Sequence, residues 1–387
     1  MNDTMRIYLD NNATTPVLPA VLEAMLPFLS ARYGNPSSTH IFGLEAREAV
    51  ETARARVADL VDCDTRDVVF TSCATEAINT AIHSAICQAE KPGRIVTTAV
   101  EHSAVLNYCA DLERRGYDVV RVGVDDVGNL NWDEFESAVS PGTLLVSTMW
   151  ANNETGVVFP IERISELCKT RGVLLHVDAV QAAGKLPISL GSVSVDYLSI
   201  SAHKIYGPKG VGALIVPDRA PYRALHHGGP QESGRRGGTE NVAGLVGFGV
   251  AASLAQAELQ RRAREVEDLR SRLERAVLES VSGAYINGNG ACRIPNTTNI
   301  GFPGVDSDTL VAALDADGIC VSAGSACLAD SIVPSHVIMA MTHSYAKASE
   351  AVRFSLSHLN TAEEIDRTVE ALIRALQRVR PAASGSA

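Results

Sequence analysis

The chain has 387 residues, with 34 Lys or Arg against 45 Asp or Glu, for a formal net charge of −11. That acidity argues against binding nucleic acid or a membrane surface, because both need basic patches. With 46% hydrophobic and 20% charged residues, the composition is that of a globular enzyme with room for two domains, not a disordered scaffold.

The opening MNDTMRIYLD has an early acid and no apolar segment, so no secretion signal is expected there. From residue 44 the pattern alternates. An amphipathic helix is predicted over 44–60, a strand over 67–71, a helix over 76–89 and a strand over 94–100. Further β-branched runs bounded by turn residues predict strands at 144–149, 173–178, 197–201 and 212–216. Strand and helix in alternation imply a mostly parallel sheet covered on both faces, hence an α/β fold. The apolar run 242–255 contains Gly244, Gly247 and Gly249. It is short of the roughly 20 residues a membrane span needs and is predicted to be a buried helix. A charged helix follows over 261–280 with an apolar stripe at Val266, Leu269, Leu273 and Val277. The texture then changes to Gly-rich turns and shorter elements, which puts a domain boundary near residue 260.

Cysteines stand at 63, 73, 87, 109, 168, 292, 320 and 327, with neither C-x-x-C spacing nor a zinc-like cluster. They read as free thiols of a reducing cytoplasm, with Cys87, Cys109 and Cys168 as small core residues. Cys327 stands apart, in the small-residue run Ser322-Ala323-Gly324-Ser325-Ala326-Cys327. Such a run offers the open, polar setting that a reactive thiolate needs.

In open α/β sheets ligands sit beyond the carboxyl ends of strands. After 67–71 comes Ser72-Cys73-Ala74-Thr75-Glu76, either a plain helix cap or a phosphate cradle. After 94–100 comes Glu101-His102, and after 144–149 the polar run Trp150 to Gly156. Strand 173–178 ends on Asp178, with Gln181 close behind. Strand 197–201 leads into Ser201-Ala202-His203-Lys204. Taken singly, each feature is as well explained by a cap or a solvated side chain. Together and in order they meet the needs of pyridoxal 5′-phosphate. That cofactor requires a lysine amine for the Schiff base, an acid for the pyridinium nitrogen, a flat ring to stack on and a helix N-terminus for the phosphate.

The same residues resemble the cysteine desulfurases of the NifS/IscS type, class-V enzymes of the PLP-dependent transferase (aspartate aminotransferase-like) fold. The resemblance runs over YLDNNATTP (8–16), YGNPSSTH (33–40), FTSCATE (70–76), EHSAVL (101–106), MWANNETG (149–156), HVDAVQAAGK (176–185), SAHKIYGPKGVG (201–212), GRRGGTEN (234–241), SAGSAC (322–327) and VRFSLS (352–357). SAGSAC is similar to the active-site loop of the NifS/IscS group rather than that of the SufS-like group. MWANNETG and GRRGGTEN resemble the nitrogen-fixation branch.

The resemblance implies a large PLP-binding domain (16–260) with a mostly parallel seven-stranded sheet. It also implies a smaller α+β domain (1–15 and 261–387) carrying the catalytic cysteine loop at about 322–333. It gives Lys204 the Schiff base, Asp178 the pyridinium nitrogen, Gln181 the ring hydroxyl, and His102 the stacking position and a proton shuttle. Ala74, Thr75, Ser201 and His203 would hold the phosphate, joined by Thr239 from the other subunit of a homodimer. Asn153 and Arg353, with Asn11 beside them, would bind the substrate carboxylate. Cys327 would be the nucleophile that takes sulfur from L-cysteine, leaving L-alanine. It would also be a ligand shared with an iron–sulfur scaffold, the expected sulfur acceptor. The competing readings are a selenocysteine lyase or small-molecule aminotransferase of the same class, and an inactive scaffold of the same fold. An aminotransferase has no use for Cys327, and a silent scaffold has no use for both Lys204 and Cys327.

Overall fold

The computed structural model describes residues 6–324 and 334–380. Seven strands form the main sheet, in the spatial order Val68–Thr71, Gly212–Ile215, Tyr197–Ser201, Leu174–Asp178, Thr143–Met149, Arg94–Thr98 and Asp118–Val122. The last five are mutually parallel. Gly212–Ile215 runs antiparallel to both of its neighbours, so Val68–Thr71 points the same way as Tyr197–Ser201. The five strands that precede the sequence motifs therefore all end at a shared rim. Six strands match the predicted runs to within two residues. The seventh, Asp118–Val122, was not predicted. It lies at the sheet edge with Asp118 exposed and the next three residues half-buried, which dilutes its apolar signal.

Helices cover both faces, as the wholly buried strands VVFT, YLSIS and GALI require. On one side lie Ile41–Val61, Ile161–Arg171 and the start of Val242–Ser280. On the other lie Ala74–Ile86 and Ser103–Arg114. Gly249 allows the closest crossing: a Cβ there would stand 2.6 Å from Ala53 Cα of the helix Ile41–Val61.

The predicted helices 242–255 and 261–280 are one helix of 39 residues, Val242–Ser280. The stretch between them, QAELQ, holds neither Gly nor Pro, and Glu258 is paired with Arg261 and Arg262 on the following turn. Leu245, Phe248, Ala251 and Ala255 pack into the core of the large sheet. Val266, Leu273 and Val277 pack into a second core with Ile7 and Leu9. By length and composition the first part of this helix could cross a membrane, yet its apolar residues are spent on packing inside the protein.

The second core is built on an antiparallel sheet in the order Ser322–Ala323, Ala351–Ser355, Thr297–Gly301, Tyr285–Asn287. Helices Ser307–Ala316 and Ala362–Val379 cover it, the latter started by a capping box between Thr361 and Glu364. Ile7–Tyr8 pairs in parallel with Ile319–Cys320, which ties the start of the chain to this region. The described cysteines are all free thiols. Cys109 and Cys168 are buried as expected, and burial pushes both thiols up to about 12. Cys87 is not a core residue: it ends the helix Ala74–Ile86 and is exposed, with its sulfur 3.7 Å from His83 Nε2.

Candidate active site

Lys204 ends a short 3-10 turn, Ala202–Lys204, directly after the strand Tyr197–Ser201. Its Nζ donates to the backbone carbonyls of Asn12 at 2.5 Å and Ala13 at 2.8 Å. The N-terminal segment thus crosses over the rim and holds the amine end of the lysine. One strand further along, Asp178 is buried, and its Oδ1 accepts the Val180 N–H at 3.0 Å. Burial raises the Asp178 carboxyl above its ordinary value, while Val180, His102 and Lys204 pull it back down.

His102 caps the helix Ser103–Arg114, its Nδ1 accepting the Ala104 N–H at 3.1 Å. The neutral ring therefore carries its proton on Nε2. Beside it lies Glu101, which carries no expected role yet is completely buried. Its Oε1 accepts from Thr98 Oγ1 at 2.7 Å and Met149 N at 3.0 Å, and its Oε2 has no hydrogen-bond partner. Burial pushes this carboxyl up to about 8, with the neighbouring Asp178 adding to the rise.

The helix Ala74–Ile86 opens beside the end of Val68–Thr71 with no side-chain cap on its N-terminus. Thr71 Oγ1 donates to Cys73 O at 2.9 Å, and Ser72 N donates to Glu76 Oε2 at 2.8 Å, shaping the entry turn. Gly212 lets this turn approach the sheet, since a Cβ there would lie 2.7 Å from Cys73 C and 3.0 Å from Ala74 N. Ser201 Oγ is buried without a hydrogen-bond partner. His203 Nδ1 lies 3.2 Å from Thr14 Oγ1, and its pKa is pushed down to about 4 by burial and then by Lys204 and Lys209.

Arg353 is buried and donates from Nη2 to Asp10 Oδ1 at 2.7 Å and from Nη1 to Asn153 O at 3.1 Å. Its Nε has no partner. Asn11 spends its amide on the carbonyls of Tyr8 and Ser355, leaving a buried Oδ1 unpaired.

One residue that sequence reasoning missed is the neighbour, Asn12. Its carbonyl accepts from Lys204 and, at 3.0 Å, from Gln181 Nε2. Its amide donates to Asn153 O at 3.1 Å and Thr297 Oγ1 at 2.7 Å, and its Oδ1 accepts from Asn296 at 3.0 Å and Lys185 at 3.1 Å. The tandem asparagines of DNNATTP were the available signal; their spacing alone does not say which one turns inward.

Lys204, Asp178, His102, Gln181, Ser201, His203, Asn153 and the Ala74–Thr75 turn thus stand at the strand-end rim, with Arg353 and Asn11 bordering it from the second core. Thr239 does not share this cluster. It is exposed on a surface turn lining a shallow cavity with Ser72 and Arg236. Cys327 lies outside the described residues, as does most of the 322–333 loop. Among the described residues no group of three or more His, Cys, Asp or Glu side chains could hold a metal ion.

The Aminotransferase class-V family model matches residues 7–368. A cysteine desulfurase of Trichormus azollae is 47% identical over 374 residues, covering 97% of this chain and 94% of that protein. A solved NifS-like protein has a TM-score of 0.91 at 40% identity, covering 97% of this chain and 100% of the other. SspA, solved in complex with cysteine, has a TM-score of 0.81 at 34% identity, over 92% and 100% of the two chains.

Enzymes of this family depend on pyridoxal phosphate, and the residues present fit it. An uncapped helix N-terminus, an orphaned buried hydroxyl and a glycine-shaped cradle suit a phosphate. A buried carboxylate with a lone backbone donor suits a cationic ring nitrogen. Sequence, fold and rim chemistry thus lead to one assignment: the chain belongs to the class-V aminotransferase family, among its cysteine desulfurases.

Proposed function

We propose that this protein converts L-cysteine to L-alanine and keeps the sulfur as a persulfide on Cys327. The observation that carries the reading is the meeting of the Lys204 amine and the buried Asp178 carboxylate at one rim. Pyridoxal phosphate bound there supplies an electron sink for the substrate α-carbon. Asp178 holds a proton on the ring nitrogen, which offsets the cost of burying its own charge. Ser201 Oγ, His203 and the N–H groups of Ala74 and Thr75 bind the phosphate, while Gln181 donates to the ring oxygen. Asn153 and Arg353, with Asn11, orient the substrate carboxylate. Lys204 Nζ takes the proton from the α-carbon. His102 would lie against the ring, and the proton on its Nε2 would serve the leaving side. The thiolate of Cys327 attacks the substrate sulfur, so that an S–S bond forms as the C–S bond breaks. Cysteine and one enzyme thiol become alanine and one enzyme persulfide.

We read residues 16–260 as the cofactor domain and 1–15 with 261–387 as the small domain, because the long helix changes cores between Ala255 and Val266. We also propose a homodimer. Leu22, Leu26, Leu29, Tyr33, Ile41, Phe42 and Leu44 are all exposed within one short stretch, an apolar surface that a second copy would cover. Thr239, on its exposed turn, would then reach the phosphate site of the partner. An iron–sulfur scaffold in the cytoplasm is the expected sulfur acceptor, with Cys327 as the point of transfer, and the motifs favour the nitrogen-fixation branch.

The test is incubation with L-cysteine and a reductant, quantifying alanine and sulfide together. Equal amounts of the two support the reading. A keto acid without sulfide points to an aminotransferase, turnover confined to selenocysteine points to a lyase, and no visible absorbance from bound cofactor points to a silent scaffold.

A further inference from the structure

Lys185 is a second amine at the rim, and the reaction described above does not use it. Its Nζ donates to Gln181 Oε1 at 2.6 Å and to Asn12 Oδ1 at 3.1 Å. The charges that reach it belong to Lys204 and Arg353, both positive. A neutral amine has two hydrogens to give, and two amide oxygens receive them. The two ends of a glutamine amide have nearly the same shape, so its neighbours decide which end faces a ligand. For Gln181 the Asn12 carbonyl takes one Nε2 hydrogen at 3.0 Å. Lys185 holds the oxygen end, and one Nε2 hydrogen is left to donate.

We propose that Lys185 is a positioning residue that locks the Gln181 amide with its NH2 end toward the cofactor ring oxygen. The proposal rests on the pyridoxal phosphate reading of the rim. Burial, and then the charges of Lys204 and Arg353, hold the Lys185 amine well below its ordinary value, in keeping with an uncharged donor. In this arrangement the amide always offers a donor to a ring oxygen that is most useful deprotonated. With Lys185 removed, the amide can flip and present its own oxygen to that position.

The test is a pH titration of the visible absorbance of the cofactor-loaded protein, with cofactor affinity measured alongside. Lys185→Met removes the donor at nearly constant volume. It is expected to move the titration midpoint up by about one pH unit and to weaken cofactor binding by about tenfold, the scale of one lost hydrogen bond to a charged acceptor. Lys185→Gln keeps a donor and should stay near the parent midpoint. Lys185→Leu serves where the Met variant does not fold. In a Gln181→Leu background, Lys185→Met should add less than about twofold, because the two residues act as one unit. An unmoved midpoint in Lys185→Met, or a full shift persisting without Gln181, would overturn the role of Lys185. A parent protein that takes up no pyridoxal phosphate would instead overturn the underlying reading.

Discussion

Replacing Glu101 with Gln tests the electrostatics of the rim without touching the residues proposed to meet substrate. The side chain is completely buried, receives two hydrogen bonds at Oε1 and leaves Oε2 without a partner. Its pKa rises from an ordinary 4.5 to about 8. At about 1.4 kcal/mol for each pH unit, that rise corresponds to a ceiling of ~5 kcal/mol. Because the folded value lies above the unfolded one, folding takes up a proton in between. The stabilisation is complete below about 4.5 and is lost as the pH climbs through 8. Glu101→Gln cannot ionise, so its stability relative to the parent should climb across the same window. Any fixed cost of placing an NH2 group beside the unpaired site is independent of pH and drops out of the comparison. Urea unfolding of parent and variant at a series of pH values from 4 to 9 measures this directly. A rise of several kcal/mol in the difference is expected, and a constant difference across the range would refute a protonated Glu101.

Three other outcomes are expected. Gly212→Ala forces the Ala74 turn away from the sheet, and should cost about 1–3 kcal/mol in thermal unfolding together with a measurable loss of pyridoxal phosphate affinity. Cys327→Ala should bind the cofactor and L-cysteine as the parent does yet form no persulfide, as read by mass spectrometry; near-normal alanine release would sink the proposed nucleophile. Lys204→Ala and Thr239→Ala, each inactive alone, should regain activity when their subunits are exchanged, and no recovery in verified heterodimers would count against a shared site.

Much of this site was legible because an α/β sheet converts chain order into spatial order. Asp178, Lys204 and His102 could be placed on one rim once their strands were read as parallel. Asp118–Val122 escaped because an edge strand with an exposed acid lacks a continuous apolar run. The two helices predicted on either side of residue 258 are one, since nothing in QAELQ stops a helix, although the buried residues before Ala255 and after Val266 belong to different cores. Asn12, Glu101 and Lys185 escaped for another reason. Each matters through its hydrogen-bond partners, and those come from segments as far apart as Asn12 and Asn296.

The unbroken helix Val242–Ser280 makes the two cores a single mechanical piece. Each residue of an α-helix advances about 1.5 Å and turns about 100°. One residue inserted near position 258 would therefore rotate the entire second core against the first by more than a quarter turn, with no loop to absorb it. Arg353 and Asn12 would swing away from Asn153, Lys204 and Gln181, although none of these residues had been touched. Length in that segment is a fixed gauge: this shaft keeps its phase or the rim is pulled apart.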